Sequence, residues 1–174
     1  MSAFLNGPGR RHEDSGVGVI DFGENTTTFA LFNKSVLSLI RRFDSGTTAI
    51  VEKVQKTLGV DRQTAIGIMS DGSFDISQQV SEVLEPLIKQ LIVSRDFVER
   101  RENCHVTKIY VSGGLVVSRD SLLEMKSSLG LETETWNPME GLNVLPDAIP
   151  AGVTGQEWRL AAAIGAGLAT FEET

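Results

Sequence analysis

The sequence holds a single cysteine, Cys104. No internal disulfide and no cysteine metal cluster can therefore form, which fits a reducing compartment. Histidine is almost as scarce, and His12 and His105 lack any metal-ligand spacing. No apolar run approaches the roughly 18 residues of a membrane-spanning helix, and no signal-peptide pattern opens the chain. Membrane association is thus expected only through a partner. Positive charge is also in deficit. With 16 Lys and Arg against 23 Asp and Glu, the formal net charge is −7, and a surface built to neutralise nucleic-acid phosphates is not expected. Arg10-Arg11, Arg41-Arg42 and Arg100-Arg101 are isolated pairs that read as solvated surface. There is no internal repeat and no low-complexity segment.

What remains is an ordinary globular composition, 41% apolar and 22% charged over 174 residues. That is enough chain for one domain, or two tightly associated subdomains, around a real core. Residues 1–16 are rich in glycine and charge, with Asn6-Gly7-Pro8-Gly9, and read as a flexible arm. Strands are expected over Val17–Phe22, Thr27–Phe32 and Val36–Phe43, joined by short turns into an antiparallel meander. Thr47 or Thr48 opens a helix that Gly59 ends. Asp61 caps a shorter helix from Arg62 to Ser70, stopped at Asp71-Gly72.

A long helix is expected over Ile76–Arg101, from Val80, Val83, Leu84, Leu87, Ile88, Leu91 and Ile92 at helical spacing. Pro86 should kink or divide it. A strand over Lys108–Ser112, a helix over Ser118–Leu129 and a short strand over Glu132–Trp136 follow. Residues 142–153 read as a loop with two prolines, and a final Ala/Gly-rich helix runs from Gly155 to Phe171.

Two turns carry possible chemistry. Asp21 closes the first strand, where a carboxylate can hold a metal through water. Gly23 lets a bound group approach the backbone. Asn25, Thr26, Thr27 and Thr28 then offer backbone N–H groups and hydroxyls suited to a phosphate. A hairpin whose turn is polar only because it is exposed would look the same. The second turn is Ser112-Gly113-Gly114, between an apolar strand and a helix, where two glycines admit a flat ligand or a phosphate.

The order of these features resembles the second lobe of the actin-like ATPases. Among them it is most similar to the PilM proteins of type IV pilus assembly. The residues that carry the resemblance begin with Asp21-x-Gly23 and its threonines, Ser45-Gly46-Thr47-Thr48 and Ser94-x-x-Phe97. They continue through Ser112-Gly113-Gly114, Trp136-Asn137-Pro138 and Ala161-Ala162-Ala163-Ile164-Gly165-x-Gly167-Leu168. The motifs are short and shared with FtsA, DnaK-type chaperones and sugar kinases.

The resemblance implies an α/β, ribonuclease H-like lobe over residues 17–174, with a small helical subdomain at about 47–75. It implies ATP with magnesium as ligands. Gly23, Asn25, Thr26, Thr27 and Thr28 would lie at the phosphates, Asp21 at the metal through water, and Ser112, Gly113 and Gly114 at the adenosine. It also implies a cytoplasmic scaffold held at the inner membrane by a partner such as PilN. Alternatives are a lobe of a sugar or acetate kinase, an FtsA-like cell-division protein, or a secretion-platform domain.

One phosphate hairpin is present where a complete actin-like ATPase has two, so the chain is expected to be a C-terminal half that is not catalytic alone. Relatives commonly carry a Glu and a Lys at the ribose. The corresponding stretch here, Ala65-Ile66-Gly67-Ile68-Met69-Ser70, has neither, and Glu52 and Lys53 lie on the neighbouring helix.

Overall fold

The computed structural model of the chain describes residues 2–9, 15–145 and 155–172. Its sheet has five strands in the order β3-β2-β1-β4-β5. The expected meander forms β1 (Gly16–Phe22), β2 (Thr27–Asn33) and β3 (Val36–Phe43), paired antiparallel. β4 (Val106–Gly113) joins β1 in parallel, and β5 (Glu132–Thr135) joins β4 in parallel. The mixed sheet follows from the connections: short turns give antiparallel neighbours, while the helical crossovers before β4 and β5 give parallel ones.

Helices cover both faces, so the central strands are apolar on both sides rather than alternating. Ile20, Phe22, Phe29, Leu31, Ile109 and Val111 face one core, shared with α2 (Thr47–Leu58), α3 (Arg62–Asp71), α4 (Ser77–Glu102) and α5 (Arg119–Leu129). Val17, Val19, Ala30, Phe32 and Tyr110 face the other, shared with α1 (Ser2–Asn6) and α6 (Ala161–Glu172). A 3-10 turn, Glu157–Leu160, leads into α6.

The helix boundaries follow local chemistry. Asp61 accepts from the Thr64 N–H at 2.9 Å and caps α3. Gly59 and Gly72 end α2 and α3 in the left-handed conformation, at φ 66° and 64°. Pro86 sits inside α4, which is one helix across it rather than two in succession. Pro86 and Glu82, whose carbonyl loses its usual partner, are both exposed, and water can satisfy that carbonyl.

The arm expected over 1–16 needs correction where it is described. Residues 2–9 contain α1, which buries Ala3 and Phe4 in the second core. Phe4 lies 5.4 Å from Phe32, 5.2 Å from Tyr110 and 5.7 Å from Trp136, ring centre to ring centre. One aromatic outweighs the surrounding glycines because burying a phenyl ring contributes about 2–3 kcal/mol. The loop expected over 142–153 lies beyond the described residues from 146 onward.

Candidate functional site

The parallel pairing of β1 and β4 brings the two predicted turns together. Asp21 stands opposite Ser112 and Phe22 opposite Gly113. Ser112 is fully buried and donates its hydroxyl to Asp21 Oδ1 at 3.0 Å, which fixes the carboxylate at the strand end. Ser112 is therefore a support for Asp21 and does not line the cleft beside it.

The hairpin after β1 is tied to α2. The Gly23 N–H donates to the Thr26 carbonyl at 2.9 Å and closes the turn. The Thr47 and Thr48 N–H groups donate to the Gly23 and Glu24 carbonyls at 3.1 and 2.9 Å. Those amides at the start of α2 serve the hairpin and do not face a ligand. Thr27 is also committed. It is fully buried, and its hydroxyl donates to the Ser45 carbonyl at 2.7 Å, so that hydroxyl serves the protein's own backbone. Asn25 is exposed, and Thr26 and Thr28 are half-buried.

The glycines have a structural reason. Gly113 adopts φ +85°, and a Cβ there would lie 2.4 Å from the Phe22 carbonyl oxygen. A Cβ on Gly114 would lie 2.7 Å from Thr47 Cγ2, and one on Gly23 would lie 2.8 Å from the Thr26 carbonyl oxygen. β1, β4 and α2 thus approach closely because side chains are missing at their junction.

Above the junction lies a cleft of about 910 Å³. Asp21, Gly23, Gly113 and Gly114 line its floor. Ile66 and Met69 of α3, together with Val116 and Trp158, supply apolar walls. Two guanidinium-bearing residues also line it, Arg62 and Arg159, and sequence reasoning singled out neither. Arg62 pairs with Glu24 at 3.0 Å in an exposed ion pair of small energetic weight. Arg159 Nη1 donates to Gln156 Oε1 at 2.9 Å. Neither follows a motif, and only the fold brings α3 and the turn before α6 to one place.

The donor chemistry suits a nucleotide with its cation: the buttressed Asp21 carboxylate, two guanidiniums of which Arg62 is paired with Glu24, apolar walls and a glycine edge free of side chains. Among the described residues no cluster of three or more His, Cys, Asp or Glu could hold a metal by itself. A divalent ion at Asp21 would accordingly need phosphate oxygens and water to complete its shell.

A five-stranded mixed sheet of this order, flanked by these helices, has the fold of an actin-like ATPase lobe. A family model described as type IV pilus assembly protein PilM matches residues 7–171, and the chain belongs to that family. No curated protein sequence matches the chain significantly.

Among solved structures, a chain of a PilM–PilN type IV pilus biogenesis complex is similar at 23% identity and a TM-score of 0.73, over 97% of this chain and 50% of that one. MreB 5 of Spiroplasma citri, bound to AMPPNP, is similar at 12% identity and a TM-score of 0.63, over 99% and 58%. The ethanolamine utilization protein EutJ of Carboxydothermus hydrogenoformans follows at 18% identity and 0.59, over 96% and 52%. The chain spans about half the length of these structures.

Proposed function

We propose that this chain is the nucleotide-facing C-terminal lobe of a PilM-type scaffold in type IV pilus assembly. The observation that carries the nucleotide reading is the Asp21–Ser112 pair, set beside Gly113 and Gly114 on one cleft that Arg62 and Arg159 also line. In this reading Asp21 holds magnesium through water, and Gly23, Asn25, Thr26 and Thr28 lie near the phosphates. The Gly113-Gly114 edge and the apolar wall of Ile66 and Met69 receive the adenosine. Residues 47–75 act as the small subdomain that bounds the cleft.

The chain is not catalytic alone in this reading, because positioning a water on a γ-phosphate requires groups on both sides of the nucleotide. The parent acts as a cytoplasmic scaffold at the inner membrane through a PilN-like partner. The family match supports that role, and among the described residues no helix is long and apolar enough to cross a membrane.

The test is ATP titration of the chain by NMR, with and without magnesium. A dissociation constant in roughly the millimolar range, about −4 kcal/mol, is expected for half a site. The shifts should centre on Asp21, Gly114 and Ile66. Asp21→Asn should keep the fold and abolish the magnesium dependence. Absence of cleft shifts at about 10 mM ATP, a concentration that would half-saturate even a site of about −2.7 kcal/mol, rejects the nucleotide reading.

A further inference from the structure

The sheet ends at β3, whose outer side pairs with no strand among the described residues. Native edges are usually short, bulged or guarded by charge. The opposite edge, β5, fits that rule, with four residues and two glutamates held by Lys108. β3 also carries a bulge, at Ser38, and two charges, Arg41 and Arg42, yet it is eight residues long and exposes Val36 at 68%, Leu37 at 45% and Ile40 at 53%.

The register assigns these side chains to faces. Leu37 stands opposite Phe32 and Ile40 opposite Ala30, on the α1/α6 side that those helices leave open at the edge. On the other side lies the C-terminal half of α4. There Phe97 is 52% exposed, with the Arg101 guanidinium 5.0 Å from its ring centre. Arg101 also donates to the Ser38 carbonyl at 2.7 Å, which ties Phe97 to the strand edge. An added strand would therefore meet apolar side chains above and below its alternating residues.

Charge decides the occupant. The chain carries −7 overall, yet this rim keeps two arginines, Arg41 and Arg42, with no carboxylate partner among the described residues, while Arg101 is paired with Glu102, which also accepts from Ser38. Arg41 is held by the neutral groups of Ser94 and Gln90, and the Arg42 side chain makes no bond among the described residues. A second copy would bring two more such arginines to the same rim, and like charges across a pairing strand are unfavourable. An acidic strand meets the opposite condition.

We propose that β3 is a docking edge for an extended peptide of a partner protein, alternating acidic and apolar residues, that adds to the sheet as a sixth strand. None of the residues involved lines the nucleotide cleft, so the proposal stands whatever binds there.

The test uses the full chain and a synthetic decapeptide alternating Glu with Val, labelled for fluorescence anisotropy. Binding with a dissociation constant on the order of 100 µM at low salt is expected, as for a short added strand. The R41E/R42E double variant should weaken it at least about tenfold, and so should N-methylation of alternate peptide amides, which removes strand pairing without changing charge. Amide shifts over residues 36–43 should accompany binding. Failure of the peptide to bind, or equal affinity of the N-methylated peptide, overturns the proposal. So does a dimer, seen by sedimentation, that R41E/R42E stabilises, because the edge would then belong to a second copy.

Discussion

Gly46→Ala tests how the hairpin is held against α2. Gly46 sits at φ −153° and ψ −170°, extended backbone that any residue adopts, so no conformational penalty applies. The cost is contact. An added Cβ would lie 2.4 Å from the Glu24 carbonyl oxygen and 2.6 Å from the Gly23 carbonyl oxygen. Relief requires the turn to retreat by about 1 Å, because close-packed atoms yield little elsewhere. Those same oxygens accept from Thr48 and Thr47 at 2.9 and 3.1 Å, and a retreat of that size breaks both bonds. Two lost backbone bonds, with acceptors left partly buried, cost about 2–4 kcal/mol. For a chain of this size that lowers Tm by about 4–16 °C. Urea unfolding followed by circular dichroism measures it. Gly67→Ala is the control: nothing lies within 4 Å of its added Cβ, and Ala within α3 should stabilise by about 0.5–1 kcal/mol. A loss below about 0.5 kcal/mol for Gly46→Ala, half of one backbone bond, would refute the account of the junction.

Phe4→Ala should cost about 3–5 kcal/mol, the usual range for emptying a buried aromatic site. It should also red-shift tryptophan emission, since Trp136 packs edge-on to that ring. Unchanged stability and emission would show that α1 does not pack as described. The Asp61 carboxyl is held below its ordinary 3.8, chiefly by the Thr64 N–H and also by the Thr64 hydroxyl. A depressed folded pKa contributes stability above the unfolded value, and that contribution is lost as pH falls through the folded one. Asp61→Asn keeps the cap but cannot titrate, so amide protection at the start of α3 should become insensitive to pH below 3.8. Hydrogen exchange from pH 5 downward reads this directly, and a pH response identical to the parent's would assign the acid sensitivity elsewhere.

Much of the fold was legible because its signals are local. Short apolar runs separated by polar turns marked β1 to β3, and Asp61, Gly59 and Gly72 marked helix ends through backbone chemistry that each residue carries on its own. α1 was not legible. Five residues give no periodicity, and the buried ring of Phe4 declares itself only when Phe32, Tyr110 and Trp136 are assembled around it. The site was half legible. Asp21 and the glycines sit at strand ends, which sequence reveals, whereas Arg62 and Arg159 meet the cleft from remote parts of the chain. The inward turn of the Thr27 hydroxyl was not legible, because the first residue of a strand can face either side. The register with Phe43 turns it inward, to Ser45.

The glycine pair changes how the cleft can be probed. Gly113 has no room for a side chain because of the Phe22 backbone, and Gly114 has none because of Thr47. Both restrictions operate with no ligand bound. Gly114→Val is therefore expected to displace α2 from β4 before it can block an adenosine, and loss of binding in that variant would report on the junction. Asp21 is separable in a way the glycines are not. Its carboxylate accepts one hydrogen bond from Ser112 at 3.0 Å, and the amide oxygen of Asn can accept the same bond. Asp21→Asn removes charge while leaving shape and packing in place. The glycines build the floor on which a nucleotide could rest, and the charge at Asp21 is what a cation would answer to. Substitution of Asp21 therefore isolates chemistry from fold, which substitution of the glycines does not.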